Sequence, residues 1–296
     1  MEAILVNVAL PLANVVILLG VGLVLDTGDF RRIRERPRPL VVGLFGHYLL
    51  LPALGFAMAW QFRHEPAIAV GFVLIAACPS ASASNLLTHL ARGNTALAVT
   101  LTVISAVATL VTLPLMLNAA GEWLYGASYR MRLPFWQTMG RLAVLVLLPV
   151  VAGIALRRFR PRLALRIEPW VSRVGLAALM LAISTYLATN FPAFARSFER
   201  VGPATVCMST VAIVAGLLLG RVSALSRRDT ITIGMEVGVQ NCMLALLVAF
   251  TLLRSPEVAV PAITYGVMMF LPAFGLVALG RRWRGQATAA SSPGAI

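Results

Sequence analysis

Two short stretches hold the side chains that could do chemistry. Gly234-Met235-Glu236-Val237-Gly238-Val239-Gln240-Asn241 places one carboxylate and two amides inside an apolar run at about 231–253. Cys78-Pro79-Ser80-Ala81-Ser82-Ala83-Ser84-Asn85 places three hydroxyls and an amide inside another, at about 67–90. A carboxylate in a bilayer-length run is costly unless it faces a cavity and has a partner. Glu236 is therefore expected to serve a cation or proton, because the other ten acids fall in loops or at span ends. A hard cation such as sodium wants several oxygens. Ser84, Asn85, Thr102 and Gln240 offer side-chain oxygens, and an unwound helix would lend the Val237 and Val239 carbonyls without exposing them to lipid. Gly234 and Gly238 weaken one helix and Pro79 interrupts the other, so breaks are expected at 234–241 and 78–85. Helix ends that restart after a break present N–H groups to anions, which makes Ser82, Ser84 and Asn241 the candidate substrate-binding residues.

Those stretches need a membrane scaffold to position them. The chain has 296 residues, is 59% hydrophobic and 12% charged, and has a mean hydropathy of +0.86. A soluble chain carries roughly a quarter charged residues. The apolar runs are about 20 residues long, the length of spanning helices rather than of barrel strands. Nine spans are expected, at about 4–25, 40–60, 67–90, 95–117, 137–156, 171–189, 201–219, 231–253 and 258–279. The fold class is thus all-α integral membrane. The net charge of +14 does not point to nucleic acid, because all 25 basic residues are arginine and they cluster between spans. Seventeen lie in connections on one side and six on the other, with Arg141 and Arg173 near span ends. That bias puts the N-terminus outside and the C-terminus in the cytoplasm. The opening MEAILVNVAL has no basic residue, so no cleaved signal peptide is expected. Cys78, Cys207 and Cys242 fit neither a zinc site nor a disulfide framework.

The chain divides into a first repeat at 1–117 with four spans, a connecting loop at 118–133, a second repeat at 134–284 with five spans, and a small, polar tail at 285–296 expected to be disordered. The loops after the two broken spans fall on opposite sides, which makes an inverted repeat. Interrupted polar spans at matching places in two halves are the mark of a secondary transporter's binding site. Ala91-Arg92-Gly93-Asn94 reads as a tight turn, with Gly93 taking positive φ and Asn94 capping the next helix. Thr88, His89, Tyr186 and Tyr265 are further candidates to line a cavity.

CPSASASNLLTHLARGN followed by EVGVQN resembles the bile acid:sodium symporter family, across nearly the whole chain. The nine spans are similar to the bacterial-type members that lack the first of ten helices. The resemblance implies a core of spans two, three, four, seven, eight and nine, in which the broken spans three and eight cross. It implies a panel of spans one, five and six, with an organic anion bound between the two. A first sodium site would comprise Ser84, Asn85, Thr102 and Glu236. A second would comprise Glu236, Val237, Val239 and Gln240. Two residues depart from the pattern: Ala98 stands where the family often has a hydroxyl, and His47 stands where it supplies a glutamine to the second site. A histidine beside Glu236 would suit proton exchange, so protons are the alternative coupling ion.

The expected activity is therefore sodium-driven symport of an organic anion, bile acid-like or a small carboxylate, in the bacterial inner membrane. The same fold coupled to protons or uncoupled is the nearest alternative, and a non-transporting sensor is a third. No catalytic motif supports an enzyme. The expected partners are the solute and the bilayer, with no nucleic acid and no obligate protein.

Overall fold

The structure, a computed structural model, describes residues 10–25, 37–126 and 132–289. The start of the first span, the whole arginine-rich 26–36 connection, residues 127–131 and the last seven residues lie outside the described residues. Among those described, every regular element is a helix. They are α1 (Leu10–Val24), α2 (Pro37–Gln61), α3 (Pro66–Ala77), α4 (Ser82–Leu90), α5 (Thr95–Tyr125), α6 (Phe135–Phe159), α7 (Pro161–Val222), α8 (Arg227–Gly238), α9 (Cys242–Leu252), α10 (Pro256–Met268) and α11 (Phe270–Ala289). Proline opens α3, α7 and α10, where its missing N–H costs nothing. Short π-helical turns at Gly46–Leu50, Ala143–Leu147 and Val248–Leu252 interrupt α2, α6 and α9.

Among the described residues, five helical stretches are long and apolar enough to cross a membrane: Pro37–Gln61, Thr95–Tyr125, Phe135–Phe159, Phe194–Val222 and Pro256–Arg282. Leu10–Val24, Pro66–Ala77 and Cys242–Leu252 are shorter apolar helices. The chain is a multi-pass membrane protein. The two interrupted spans are real interruptions, and narrower than the sequence suggests. The first covers Cys78–Ala81, since α4 begins at Ser82; the second covers Val239–Asn241, since α8 runs unbroken through Gly234 and Glu236. Gly234 serves packing rather than unwinding. A Cβ there would lie 2.9 Å from Leu217 Cγ and 3.1 Å from the Ile213 carbonyl, and Gly216 sits with its own Cβ position 2.8 Å from Gly234 Cα.

Three other expectations are corrected. The connection expected between the sixth and seventh spans stays helical, because α7 is continuous for 62 residues and Pro192 alone does not stop it. The loop expected from residue 118 begins later: α5 continues to Tyr125 and ends only at Gly126, with φ of 51°. Asn118 instead holds Leu133 like a paired backbone group, donating to its carbonyl at 2.8 Å and accepting its N–H at 2.9 Å. At the far end α11 stays helical to Ala289, past the tail boundary expected at 285.

Two groups of contacts mark the ends of the molecule. At one, the Arg200 guanidinium grips the Glu65 carboxylate at 2.6 and 3.1 Å, and Trp123 packs on Trp60. Both partners are substantially exposed, so replacing Arg200 with Ala should cost under about 1 kcal/mol in a detergent unfolding titration. At the other end, Arg92 rather than Gly93 takes the left-handed conformation, with φ of 61°. Gly93 is needed for space, because a Cβ would lie 2.7 Å from Thr88 Cγ2 and 2.8 Å from Thr232 Oγ1. Asn94 does cap α5, accepting the Leu97 N–H, and also donates to Asp229 at 2.7 Å. The Asn94 N–H donates to Thr232 Oγ1 at 2.8 Å, tying α5 to α8. Asn94→Ala removes the cap and the side-chain bond to Asp229 but keeps the backbone tie to Thr232, and should lower unfolding free energy by about 1–2 kcal/mol.

Candidate functional site

The two breaks meet. Ser80 and Gln240 form an isolated antiparallel bridge. The Ala81 N–H donates to the Val239 carbonyl at 3.0 Å, and the Asn241 N–H donates to the Pro79 carbonyl at 2.8 Å. Unwound backbone at membrane depth needs internal partners, and each break supplies the other's. The crossing fixes where α4 and α9 restart and holds the last turn of α8 beside α5.

Glu236 sits in that last turn of α8, buried. Its Oε2 accepts from Ser80 Oγ at 2.6 Å and from Thr102 Oγ1 at 3.0 Å. Its Oε1 accepts from Ser84 Oγ. Thr102 Oγ1 also lies 3.3 Å from Asn85 Oδ1. The structure thus brings together Ser84, Asn85, Thr102 and Glu236, drawn from α4, α5 and α8. Ser80 joins them, and the sequence reading passed over it. The signal was present: a hydroxyl directly after Pro79, inside the break. Ser105 stands behind it, accepting the Ser80 N–H at 3.4 Å. The other hydroxyls of α5 are spent elsewhere, since Thr100, Thr109 and Thr112 each donate to a carbonyl four residues back.

Oxygen outnumbers hydrogen in this cluster. Ser80, Ser84 and Thr102 have one hydroxyl proton each, while Glu236 Oε1 and Oε2, the Ala81 and Ala98 carbonyls and Asn85 Oδ1 all stand within their reach. Such a convergence of lone pairs is the coordination chemistry of a hard cation. Among the described residues no group of three His, Cys, Asp or Glu could hold a transition metal.

The second candidate set is only partly assembled. Gln240 folds back so that Nε2 donates to the Glu236 carbonyl at 3.1 Å and to the Val237 carbonyl at 2.9 Å. Its Oε1 is buried without a hydrogen-bond partner, and the Val239 carbonyl already accepts from Ala81. His47 lies buried in the π-helical turn of α2, its ring edge-on to Tyr48 with 5.0 Å between centroids. The preceding Gly46 packs on Val237, where a Cβ would lie 2.9 Å from Cγ2.

Of the anion candidates, Ser84 is committed to Glu236 and to the Ala81 carbonyl. Asn241 Oδ1 caps α9 by accepting the Leu244 N–H at 3.1 Å. Ser82 is half-buried at the start of α4, whose Ala81 cap offers no side-chain acceptor. Tyr265 is buried with its hydroxyl on the Gly238 carbonyl at 2.9 Å, and Thr88 is buried, so neither opens onto a cavity. His89 is exposed in the last turn of α4, and the Tyr186 side chain lies outside the described residues.

The profile of the sodium bile acid symporter family matches residues 11–196. The chain belongs to that family. Similar relatives include the Bacillus subtilis (strain 168) protein named Uncharacterized sodium-dependent transporter YocS, 30% identical over 85% of this chain and 76% of its own length. The Oryza sativa subsp. japonica protein named Probable sodium/metabolite cotransporter BASS2, chloroplastic, is 30% identical over 90% of this chain. The Arabidopsis thaliana BASS1 protein of the same kind is 28% identical over 90% of it. The chain spans 62% and 65% of the lengths of the two plant relatives. As a sodium bile acid symporter family member the protein is a transporter rather than an enzyme, and sodium is the ion its relatives are named for.

Proposed function

We propose that the protein is a sodium-coupled symporter of organic anions, such as bile acid-like or small carboxylate solutes, working by alternating access. One observation carries the proposal: a buried carboxylate with three hydroxyls and an amide oxygen around it, at the crossing of two broken helices. Sodium would sit among Ser84, Asn85, Thr102 and Glu236. A second ion would use Glu236, Val237, Val239 and Gln240, with the unpartnered Gln240 Oε1 as its natural ligand. His47 would belong to that second set, or exchange protons with Glu236 if protons are the coupling ion. The anion would meet the N-terminal ends of α4 and α9, beside Ser82, Ser84 and Asn241.

A core-and-panel division has support in the packing. In the panel α1 lies against α6, where Gly22 and Gly153 let the backbones touch, and against α7 through Ile17 and Gly175. In the core α3 packs on α10 through Gly71 and Pro261, and α7 on α8 through Gly216 and Gly234. The nine crossings and inverted repeat belong to the same proposal, and they would require the chain to reverse between the sixth and seventh crossings, where α7 is continuous. Arg200 at the Glu65 end and Asn94 against α8 at the other support that sidedness. The arginine bias would place the Asn94 end in the cytoplasm of a bacterial inner membrane.

The test is uptake into vesicles carrying the purified protein, with an inward sodium gradient and a panel of labelled monocarboxylates and steroid-type anions. Sodium-driven accumulation of at least one anion, absent with potassium, is the expected result. Anion binding without flux under any gradient would replace transport with a sensing role.

A further inference from the structure

Ser80 bonds Glu236 directly, yet the expected ligand set does not use it. It is buried, and its Oγ lies 2.6 Å from Glu236 Oε2, 3.3 Å from Thr102 Oγ1 and 3.5 Å from Ser105 Oγ. Its backbone is fixed on both sides. Pro79 precedes it, the bridge to Gln240 sets its register, and its N–H is bonded to Ser105 Oγ. A side chain held this firmly loses little freedom when it takes up a ligand. On α5 the turn before Thr102 carries Ala98, which has no side-chain oxygen to give, although its carbonyl accepts from Thr102. The face of Glu236 toward α5 would otherwise rest on Thr102 alone.

We infer that Ser80 is a ligand of the cation held at Glu236, entering from the broken segment and supplying the oxygen that Ala98 lacks. With the site empty, its proton rests on Glu236 Oε2. With a cation bound, the hydroxyl turns that proton toward Ser105 Oγ and presents a lone pair to the ion. No bond is made or broken in this exchange; a hydroxyl rotates between two acceptors. The bridge adds a consequence. Partners in an antiparallel bridge point to the same face, so Ser80 and Gln240 are neighbours, one at each candidate cation position. Ser80 is therefore also placed to sense occupancy of the Gln240 side.

The inference rests on the cation reading of Glu236, and the test separates the two. Full-length protein in detergent is melted across a sodium chloride series, with choline chloride holding ionic strength constant, and again with lithium. Ser80→Ala and Ser80→Gly each delete the hydroxyl, so that one poorly folding variant does not end the experiment. Ser80→Thr keeps it. The expected result is a sodium midpoint raised about tenfold in the deletions, the usual effect of losing one oxygen near a bound ion. The lithium-to-sodium ratio should change as well, and Ser80→Thr should return the midpoint toward the native value. Deletions that lower the melting temperature without sodium yet keep the native midpoint would make Ser80 structural and overturn the inference. In that outcome, loss of the response in Glu236→Gln would leave the cation reading standing. A native protein with no sodium response would overturn both.

Discussion

Glu236→Gln is expected to abolish the sodium response while leaving a folded protein. The amide keeps the shape of the carboxyl and can still bond Ser80, Ser84 and Thr102, so the crossing should survive. What it removes is the charge that offsets an ion's lost hydration at a buried position. A native protein that binds sodium gains RT ln(1 + [L]/Kd), or about 2.7 kcal/mol at a hundredfold excess over Kd. That gain should vanish in the variant, and its melting curves in sodium and choline should coincide. Sodium-driven uptake should fall to the level of empty vesicles. A variant that retains native sodium stabilisation would place the ion elsewhere.

Gly216→Leu is the second large effect. Gly216 lies on α7 where it crosses α8, with the Gly234 Cα only 2.8 Å and the Ile233 carbonyl 3.0 Å from where a Cβ would stand. Both obstacles are backbone, so no rotamer change relieves them. A leucine must push the helices apart, at a cost above about 2 kcal/mol. Glu236 stands two residues beyond Gly234, so the same displacement should also weaken sodium binding. The control is Gly140→Ala on α6, where a Cβ meets nothing within 4 Å. There the change should be neutral or should stabilise by up to about 1 kcal/mol. If Gly216→Leu melted like the native protein, the close α7–α8 crossing would be wrong.

These two positions show what was legible in the sequence. Glu236 stood out because a lone acid in a long apolar run has few bland explanations, and Ser84, Asn85 and Thr102 were recoverable as nearby oxygens. The crossing was legible as two interrupted spans, although its reciprocal bonds through Pro79, Ala81, Val239 and Asn241 were not. Gly234 was misjudged because composition alone does not separate a glycine that weakens a helix from one that admits a neighbour. Gly93 was misjudged for a related reason: the positive φ fell on Arg92, while the glycine was needed for space. Ser80 was overlooked because a serine beside a proline looks like a turn residue. Its aim at Glu236 depends on a partner 156 positions away. Pairings between distant segments are set by helix packing, which spacing along the chain does not encode.

The long α7 follows the same logic. Pro192 after Asn190-Phe191 has the look of a turn, but helix endings need a residue that leaves the helical conformation, as Gly126 does for α5. No such residue interrupts Pro161–Val222.

The central claim is that the oxygen cluster around Glu236 binds sodium. The most direct measurement is equilibrium binding of radioactive sodium to the purified native chain, with Glu236→Gln alongside and choline maintaining ionic strength. Saturable binding by the native protein, displaced by unlabelled sodium but not by potassium and lost in the variant, is the predicted result. Absence of saturable binding in the native protein, or equal binding in Glu236→Gln, would contradict it.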